Sequence, residues 1–371
     1  MRFLKIIPVL FFIYNTVFCQ NGAGHILKAY PNWTTNFSKH IINLNELTSG
    51  GPGKDGIPAI IHPKFISVKE ASDWLDDLEP VIALKINNKT KAYPLQILLW
   101  HEIVNDELSG IPVLVTFCPL CYSALVYDRR IDKMVPTFGV SGLLRNSDLV
   151  MYDLFTESFW QQFSGEAIVG DMTGKKLKLI PSQIISFEQF ARSYPTGLVL
   201  SKNTGYNRRY GINPYKGYDD INQTPVMYRG PIDDRLAPNE KVIGVKLDNV
   251  QKAYPYSITL AQKVINDSVG GISIVIFHVN GTRSALDSWL VSDSKDVGST
   301  GVFSRVINNK LFTFEFKDDK IHDKETSSVW NVTGKCIQGK LKGTQLSTIP
   351  SGDYFSFAWF AFYPDTQVYK E

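Results

Sequence analysis

Two thiols spaced two residues apart, Cys118 and Cys121 in Phe-Cys-Pro-Leu-Cys-Tyr, and the pair His101-Glu102 upstream are the concentrated reactive side chains of this 371-residue chain. A thioredoxin-type pair needs its first cysteine at a helix N-terminus, where the dipole depresses the thiol pKa. Tyr-Ser-Ala-Leu-Val-Tyr-Asp after Cys121 favours a strand instead, which weakens thiol–disulfide oxidoreductase chemistry without removing it. A tight turn between strands would make the same cysteines a metal knuckle. A second Cys-x-x-Cys is lacking, so further ligands must be other residue types, with His101 first and Glu102, His62, Met151 and Asp153 behind it by location. Two thiolates and an imidazole suit zinc or copper. A three-ligand site leaves a position open, beside which Glu102 is the candidate catalytic acid or base. A local disulfide is the inert alternative, and its small loop gives little entropic stabilisation. Tyr122 replaces the histidine of c-type haem attachment, and the adjacency of His101 and Glu102 breaks the zinc-deaminase pattern.

The elements that must position these groups are legible. Alternating Val81–Ile86, an Asn-Asn turn and a return through Ala92-Tyr93 predict a hairpin. Pro94 opens a helix with Ile97, Trp100 and Val104 on one face, stopping near Asn105. Ile111–Phe117 reads as a strand buried on both faces. Run straight, it covers about 23 Å at ~3.3 Å per residue. His101 therefore reaches the thiols only if the chain doubles back. Further along, Ala124–Asp128 with Met134–Gly139 predict another hairpin, Asp148–Asp153 and Glu166–Ile180 more strands, and Phe187–Tyr194 a short helix before Pro195.

This script occurs twice. Val81-Ile82-Ala83-Leu84-Lys85-Ile86-Asn87-Asn88 and Lys91-Ala92-Tyr93-Pro94 return 161 residues later as Val242-Ile243-Gly244-Val245-Lys246-Leu247-Asp248-Asn249 and Lys252-Ala253-Tyr254-Pro255. At the same offset Asn105-Asp106 meets Asn266-Asp267 and Ser123-Ala124 meets Ser284-Ala285; after small length changes Trp160 falls on Trp330 and Tyr194-Pro195 on Tyr363-Pro364. The expectation is an α+β, strand-rich fold of two degenerate hairpin–helix–strand repeats, 75–201 and 232–371, joined by a Tyr-, Gly- and Pro-rich connector, 202–231. Positions kept in both copies read as scaffold. His101, Glu102, Cys118 and Cys121 instead fall on Gln262, Lys263, Val279 and Thr282, which predicts one site in the leading copy and a covering role for the trailing one. Cys336 falls on Ala167 and reads as a small buried side chain.

The net charge of +3 carries no nucleic-acid footprint. Arg2 and Lys5 before an apolar run to Ile13, with Val17-Phe18-Cys19 following, predict a signal peptide over 1–19. The expected location is periplasmic or secreted, with a lipid anchor on Cys19 as the competing reading and no stable membrane insertion after cleavage. Residues 20–74 form an N-terminal extension with a loop at Ser49-Gly50-Gly51-Pro52-Gly53-Lys54-Asp55-Gly56. Arg145 and Asn146 in a glycine-punctuated loop, and Tyr206 and Arg208 in the connector, are candidates to line a ligand groove. On that reading the protein is a non-catalytic module for a small molecule or a metal.

Lys54-Asp55-Gly56-Ile57-Pro58-Ala59, Trp100-His101-Glu102-Ile103-Val104-Asn105-Asp106, Thr116-Phe117-Cys118-Pro119-Leu120-Cys121, Phe138-Gly139-Val140-Ser141-Gly142, Ser147-Asp148-Leu149-Val150-Met151-Tyr152-Asp153 and Thr204-Gly205-Tyr206-Asn207-Arg208 occur in one order. In these motifs the sequence resembles the uncharacterised DUF3179 family of bacteria and archaea. The resemblance implies an exported protein and assigns no catalytic residue.

Overall fold

A computed structural model describes residues 32–371; the expected signal peptide and Cys19 lie outside the described residues. The fold is α+β and strand-rich, with short helices between small sheets. Pro80–Ile86 and Lys89–Pro94 form the expected hairpin, with Val81 opposite Pro94 and Ile86 opposite Lys89. Pro94 then caps helix Leu95–His101, where its missing N–H leaves no donor unpaired. Five apolar and polar side chains of its first turns, Leu95 to Leu99, are buried together with His101, so it is a core helix and not a surface one.

That helix ends earlier than its apolar spacing suggests. Glu102 takes a left-handed conformation (φ 57°) and its N–H closes on Leu98 O, after which Ile103–Leu108 is a strand. Val104 alternates in that strand instead of continuing a helical stripe. Ile103–Leu108 runs out and Ile111–Cys118 runs back beside it, Ile103 opposite Thr116. The chain therefore doubles back, and Phe117 N donates to Glu102 O at 2.8 Å.

The expected hairpin of 124–128 with 134–139 does not form. Ile111–Cys118, apolar on both faces, takes Ser123–Asp128 as its second neighbour, and Lys178–Ile180 lies beyond that. Phe138–Arg145 pairs instead with Asp148–Asp153, in a sheet continued by Phe159–Gln161 and Glu166–Val169. Before the first hairpin, a strand Phe65–Ser67 precedes a single helical turn, Val68–Ala71. Helix Phe187–Ser193 is as expected, with Ser186 and Gln189 forming its capping box.

The trailing part is ordered in the same way. Ser182–Ser186, Pro80–Ile86, Lys89–Pro94 and Leu198–Leu200 lie side by side in one sheet; Ser351–Phe355, Lys241–Leu247, Val250–Pro255 and Gln367–Val368 do so in another. Tyr93 OH donates to Asp106 at 2.7 Å and Tyr254 OH to Asp267 at 2.8 Å. Asn105 exchanges two hydrogen bonds with the Phe138 backbone, and Asn266 does the same with Phe314. Asp153 accepts from the Trp160 indole at 3.0 Å, and Asp323 from that of Trp330 at 2.9 Å.

One expected correspondence fails. Cys118 pairs with Ser123 across a turn of four residues, whereas Val279 pairs with Ser299 after the long excursion 280–298. The constant offset ends at Val279, so neither Thr282 nor Ser284-Ala285 stands where Cys121 and Ser123-Ala124 do. The extension before residue 75 packs on the leading part: Gly50 N donates to Gly142 O and Asp55 N to Val140 O. Gly142 (φ 78°) lets that loop approach, since a Cβ there would lie 2.2 Å from Pro52 O.

Candidate metal centre

The thiols sit at the turn of the Ile111–Cys118 and Ser123–Asp128 hairpin. Cys121 N donates to Cys118 O and Tyr122 N to Pro119 O, both at 3.3 Å, and Tyr122 takes the left-handed conformation that closes the turn (φ 54°). Neither thiol stands at a helix N-terminus, and no disulfide joins them. Both are buried, at 1% and 0% exposure.

Their third companion comes from another hairpin. Asp148 begins the return arm of Phe138–Arg145 and Asp148–Asp153, across a two-residue turn in which Asn146 (φ 52°) and Ser147 (φ 63°) are both left-handed. Ligand atoms of Cys118, Cys121 and Asp148 all lie within 4.8 Å of one another. The Asp148 carboxylate is itself held: Gln161 Nε2 donates to it at 2.5 Å, Phe163 N at 3.0 Å and Ser123 Oγ at 3.4 Å. Ser147 O lies 3.3 Å from Cys121 Sγ and 3.9 Å from Cys118 Sγ. Ser147 Oγ and the Tyr218 hydroxyl are buried beside the cluster and close enough to each other to interact, short of good hydrogen-bonding geometry.

Burial dominates the electrostatics. It raises the Asp148 carboxyl to about 7, against the hydrogen bonds from Gln161 and Phe163. It raises Glu102 to about 8, opposed by the Tyr215 hydroxyl. It pushes both thiols up, Cys121 most, with Asp148 adding to the effect on each. The thiols thus hold their protons at neutral pH and the Asp148 carboxyl about half of its own, and a cation would have to displace them.

His101 and Glu102 part company here. Glu102, buried at the strand start, faces Tyr215, whose hydroxyl is 3.4 Å away, and when ionised it raises the Cys118 thiol further. His101 points elsewhere: Nδ1 is 2.7 Å from Pro58 O and Nε2 is 2.7 Å from the Tyr210 hydroxyl. Both ring nitrogens are engaged by protein, and the ligand-type group is completed by Asp148 and not by His101. His62 is exposed, Met151 is buried in the core, and Asp153 is spent on Thr156 and Trp160. Arg145 pairs with Glu46, with Asn146 next to it at the hairpin tip, whereas Tyr206 stacks near the His101 ring, 5.3 Å between centroids, and Arg208 acts on that same ring. These four groove candidates fall at two places.

Sequence reasoning missed Asp148. It lies 27 residues beyond Cys121 (148 − 121), and only the register of its hairpin aims it at the turn. The Asn-Ser dipeptide is a weaker signal for a doubly left-handed turn than Asn-Gly, which would have fixed that register from sequence.

The trailing half covers the site. Phe355 N donates to Cys121 O at 2.9 Å, and the Tyr122 and Phe355 rings are 5.5 Å apart. Among the described residues no helix is long and apolar enough to cross a membrane. Residues 54–366 match the family described as "Protein of unknown function (DUF3179)". The chain belongs to the DUF3179 family. The match takes in the thiol turn, the Asp148 hairpin and the covering strand, so all three candidate ligands lie within it. No curated protein matches the chain, and no solved structure does.

Proposed function

We propose that this protein is an exported metal-binding protein that holds one transition-metal ion, zinc in preference to copper, on Cys118, Cys121 and Asp148. The observation that carries the reading is the convergence of two thiols and a carboxylate from separate hairpins within 4.8 Å, at a turn and not at a helix end. A hard carboxylate oxygen beside two sulfurs matches the zinc ligand set better than that of monovalent copper, which favours all-soft donors. Bound there, the ion would tie the thiol turn to the hairpin arm and add to folding free energy.

The chain's own groups support such a role. Gln161, Phe163 and Ser123 orient the Asp148 carboxylate as outer partners of a ligand do. Glu102, which keeps its proton to about pH 8, avoids adding another anion beside Cys118 and is the candidate proton donor. Buried thiols with raised pKa are poor nucleophiles, which argues against oxidoreductase chemistry. The near-complete burial suits retention of an ion over rapid turnover.

The domain reading belongs to the same proposal. A duplicated frame over 75–201 and 232–371, with 202–231 as connector, accounts for the matched strand orders and for the paired Tyr–Asp, Asn–backbone and Asp–Trp bonds. The leading copy gained the thiol turn, and the trailing copy became its cover. Export follows from the N-terminal sequence.

Metal analysis of the full chain purified without chelator tests the reading. Close to one zinc per chain is expected, and none in Cys118→Ala, Cys121→Ala or Asp148→Asn. Equal, negligible metal in all four sinks it, and a reversible two-electron titration of the thiols would transfer the site to the redox reading.

A further inference from the structure

The trailing half has polar chemistry of its own, at positions where the leading half is hydrocarbon. Strand and helix register place Pro80, Leu95 and Leu98 on Lys241, Tyr256 and Thr259. The same register places Phe117, Ala124 and Ile184 on His278, Thr300 and Asp353. In the trailing half all but Tyr256, which is half-buried, are buried. Buried polar groups cost stability unless they are paired, and the leading half shows that apolar residues satisfy this frame. Their presence therefore asks for a use.

They form one network. Tyr256 OH and Thr300 Oγ1 donate to Asp353 at 2.8 and 3.0 Å, and His278 Nδ1 lies 2.8 Å from Thr259 Oγ1. Lys241 lies beside these bonds and is held by partners of its own. Its ammonium has three donors. It makes one hydrogen bond, 3.3 Å to Ser284 Oγ, lies 3.8 Å from the Tyr122 ring centroid and stands 3.7 Å from the Asp219 carboxylate. Burial lowers it to about 8, against the attraction of Asp219.

Lys241 also borders a cavity of about 520 Å³, whose largely apolar wall includes Asp219, Glu240, Tyr256, Leu260 and Lys295. That volume suits a small organic molecule. Lys295 bridges Asp219 and Asp287, at 3.3 and 3.1 Å, and Asp220, Glu240 and Asp296 also line the cavity, so its wall is net acidic. An anionic ligand is turned away there. An uncharged one with an electrophilic carbon meets an amine.

We propose that this cavity receives an uncharged aldehyde or ketone and that Lys241 condenses with its carbonyl carbon to form an imine. The amine, after giving a proton to water at the cavity mouth, forms the C–N bond; the carbonyl oxygen takes up two protons and leaves as water. With the proton returned to nitrogen, ammonium plus carbonyl become a protonated imine plus one water, without oxidation or reduction. The positive charge stays beside Asp219, so the network is not disturbed.

The test is trapping with benzaldehyde and cyanoborohydride on the full chain at pH 7.5, followed by peptide mapping. Lys241 is expected to be alkylated at least about tenfold faster than exposed Lys310 and Lys340, because its amine is neutral far more often than an ordinary lysine at that pH. The rate should saturate with aldehyde, and Leu260→Trp, which fills the groove, should reduce it about tenfold. Labelling of Lys241 no faster than of Lys310 and Lys340, or labelling unaffected by Leu260→Trp, overturns the proposal. These readouts use the wild-type lysine and need no substitution at Lys241.

Discussion

The two regions make the same bonds in their frames and place different chemistry on them. In 75–201 the buried polar groups gather at the tip of the central hairpin, where a four-residue turn presents Cys118 and Cys121 and a neighbouring hairpin delivers Asp148. In 232–371 that tip is opened by 280–298, and the neighbouring hairpin stops at Asp318-Asp319. Its arms have 4 and 4 residues, against 8 and 6 in the leading half. The trailing half instead turns its inner face polar, from Lys241 to Asp353. The Tyr–Asp, Asn–backbone and Asp–Trp bonds are common to the two regions, and the other buried polar groups belong to one or the other.

The largest effect expected from breaking this contrast is all-or-none. Asp148→Asn abolishes zinc binding, whereas Val279→Cys with Thr282→Cys leaves the metal content at one per chain, because the trailing half has neither the tight turn nor the long hairpin. A second ion in that variant, measured by elemental analysis, would erase the distinction.

Next in size is a pH effect on the metal-free protein. Unfolded, Glu102 and Asp148 lose their protons near pH 4.5 and 3.8; folded, they keep them to about 8 and about 7. Between those limits the folded chain binds more protons, so stability falls as pH rises from about 4.5 to 8. At about 1.4 kcal/mol per tenfold change in proton affinity, a roughly thousandfold change at each group puts the loss on the order of 8 kcal/mol. Thermal melts across that range should show the decline, Glu102→Gln with Asp148→Asn should flatten it, and zinc should offset the Asp148 share.

Frame positions should respond alike in the two halves. Asp153→Ala and Asp323→Ala each strand a buried indole N–H and a threonine, and each should cost about 2–4 kcal/mol in denaturant titrations. A loss confined to one half would show that the frames are not equivalent. The smallest effect belongs to Cys336, buried on its strand with Sγ 3.3 Å from Gln338 O. Cys336→Ala should cost about 1 kcal/mol and leave the metal content unchanged.

Much of the frame is legible in the sequence because short-range rules set it. The alternation of 81–86, Pro94 before the helix and the two-sided apolar strand 111–117 need no distant information. The thiol turn was readable from the strand-favouring residues after Cys121. What escaped depends on register between segments far apart. The strand at Ile103–Leu108 hides behind a helical spacing of apolar residues, and only the left-handed Glu102 ends the helix. Without that strand His101 and Glu102 look equally placed, whereas the chain reversal turns Glu102 towards the thiols and His101 towards Pro58. Asp148 depends in the same way on a turn the sequence marks weakly. The buried polar face of the trailing half escaped because comparison at the thiol positions alone saw only losses.

The hydrogen bond from Phe355 N to Cys121 O sets an order of events. The strand that caps the thiol turn is synthesised long after the turn itself. An occupant of the turn arrives before that strand docks or waits for it to peel away. Its residence time is then governed by how often the C-terminal edge opens, so exchange against a chelator should follow amide hydrogen exchange at Phe355 more closely than the intrinsic strength of the sulfur ligands.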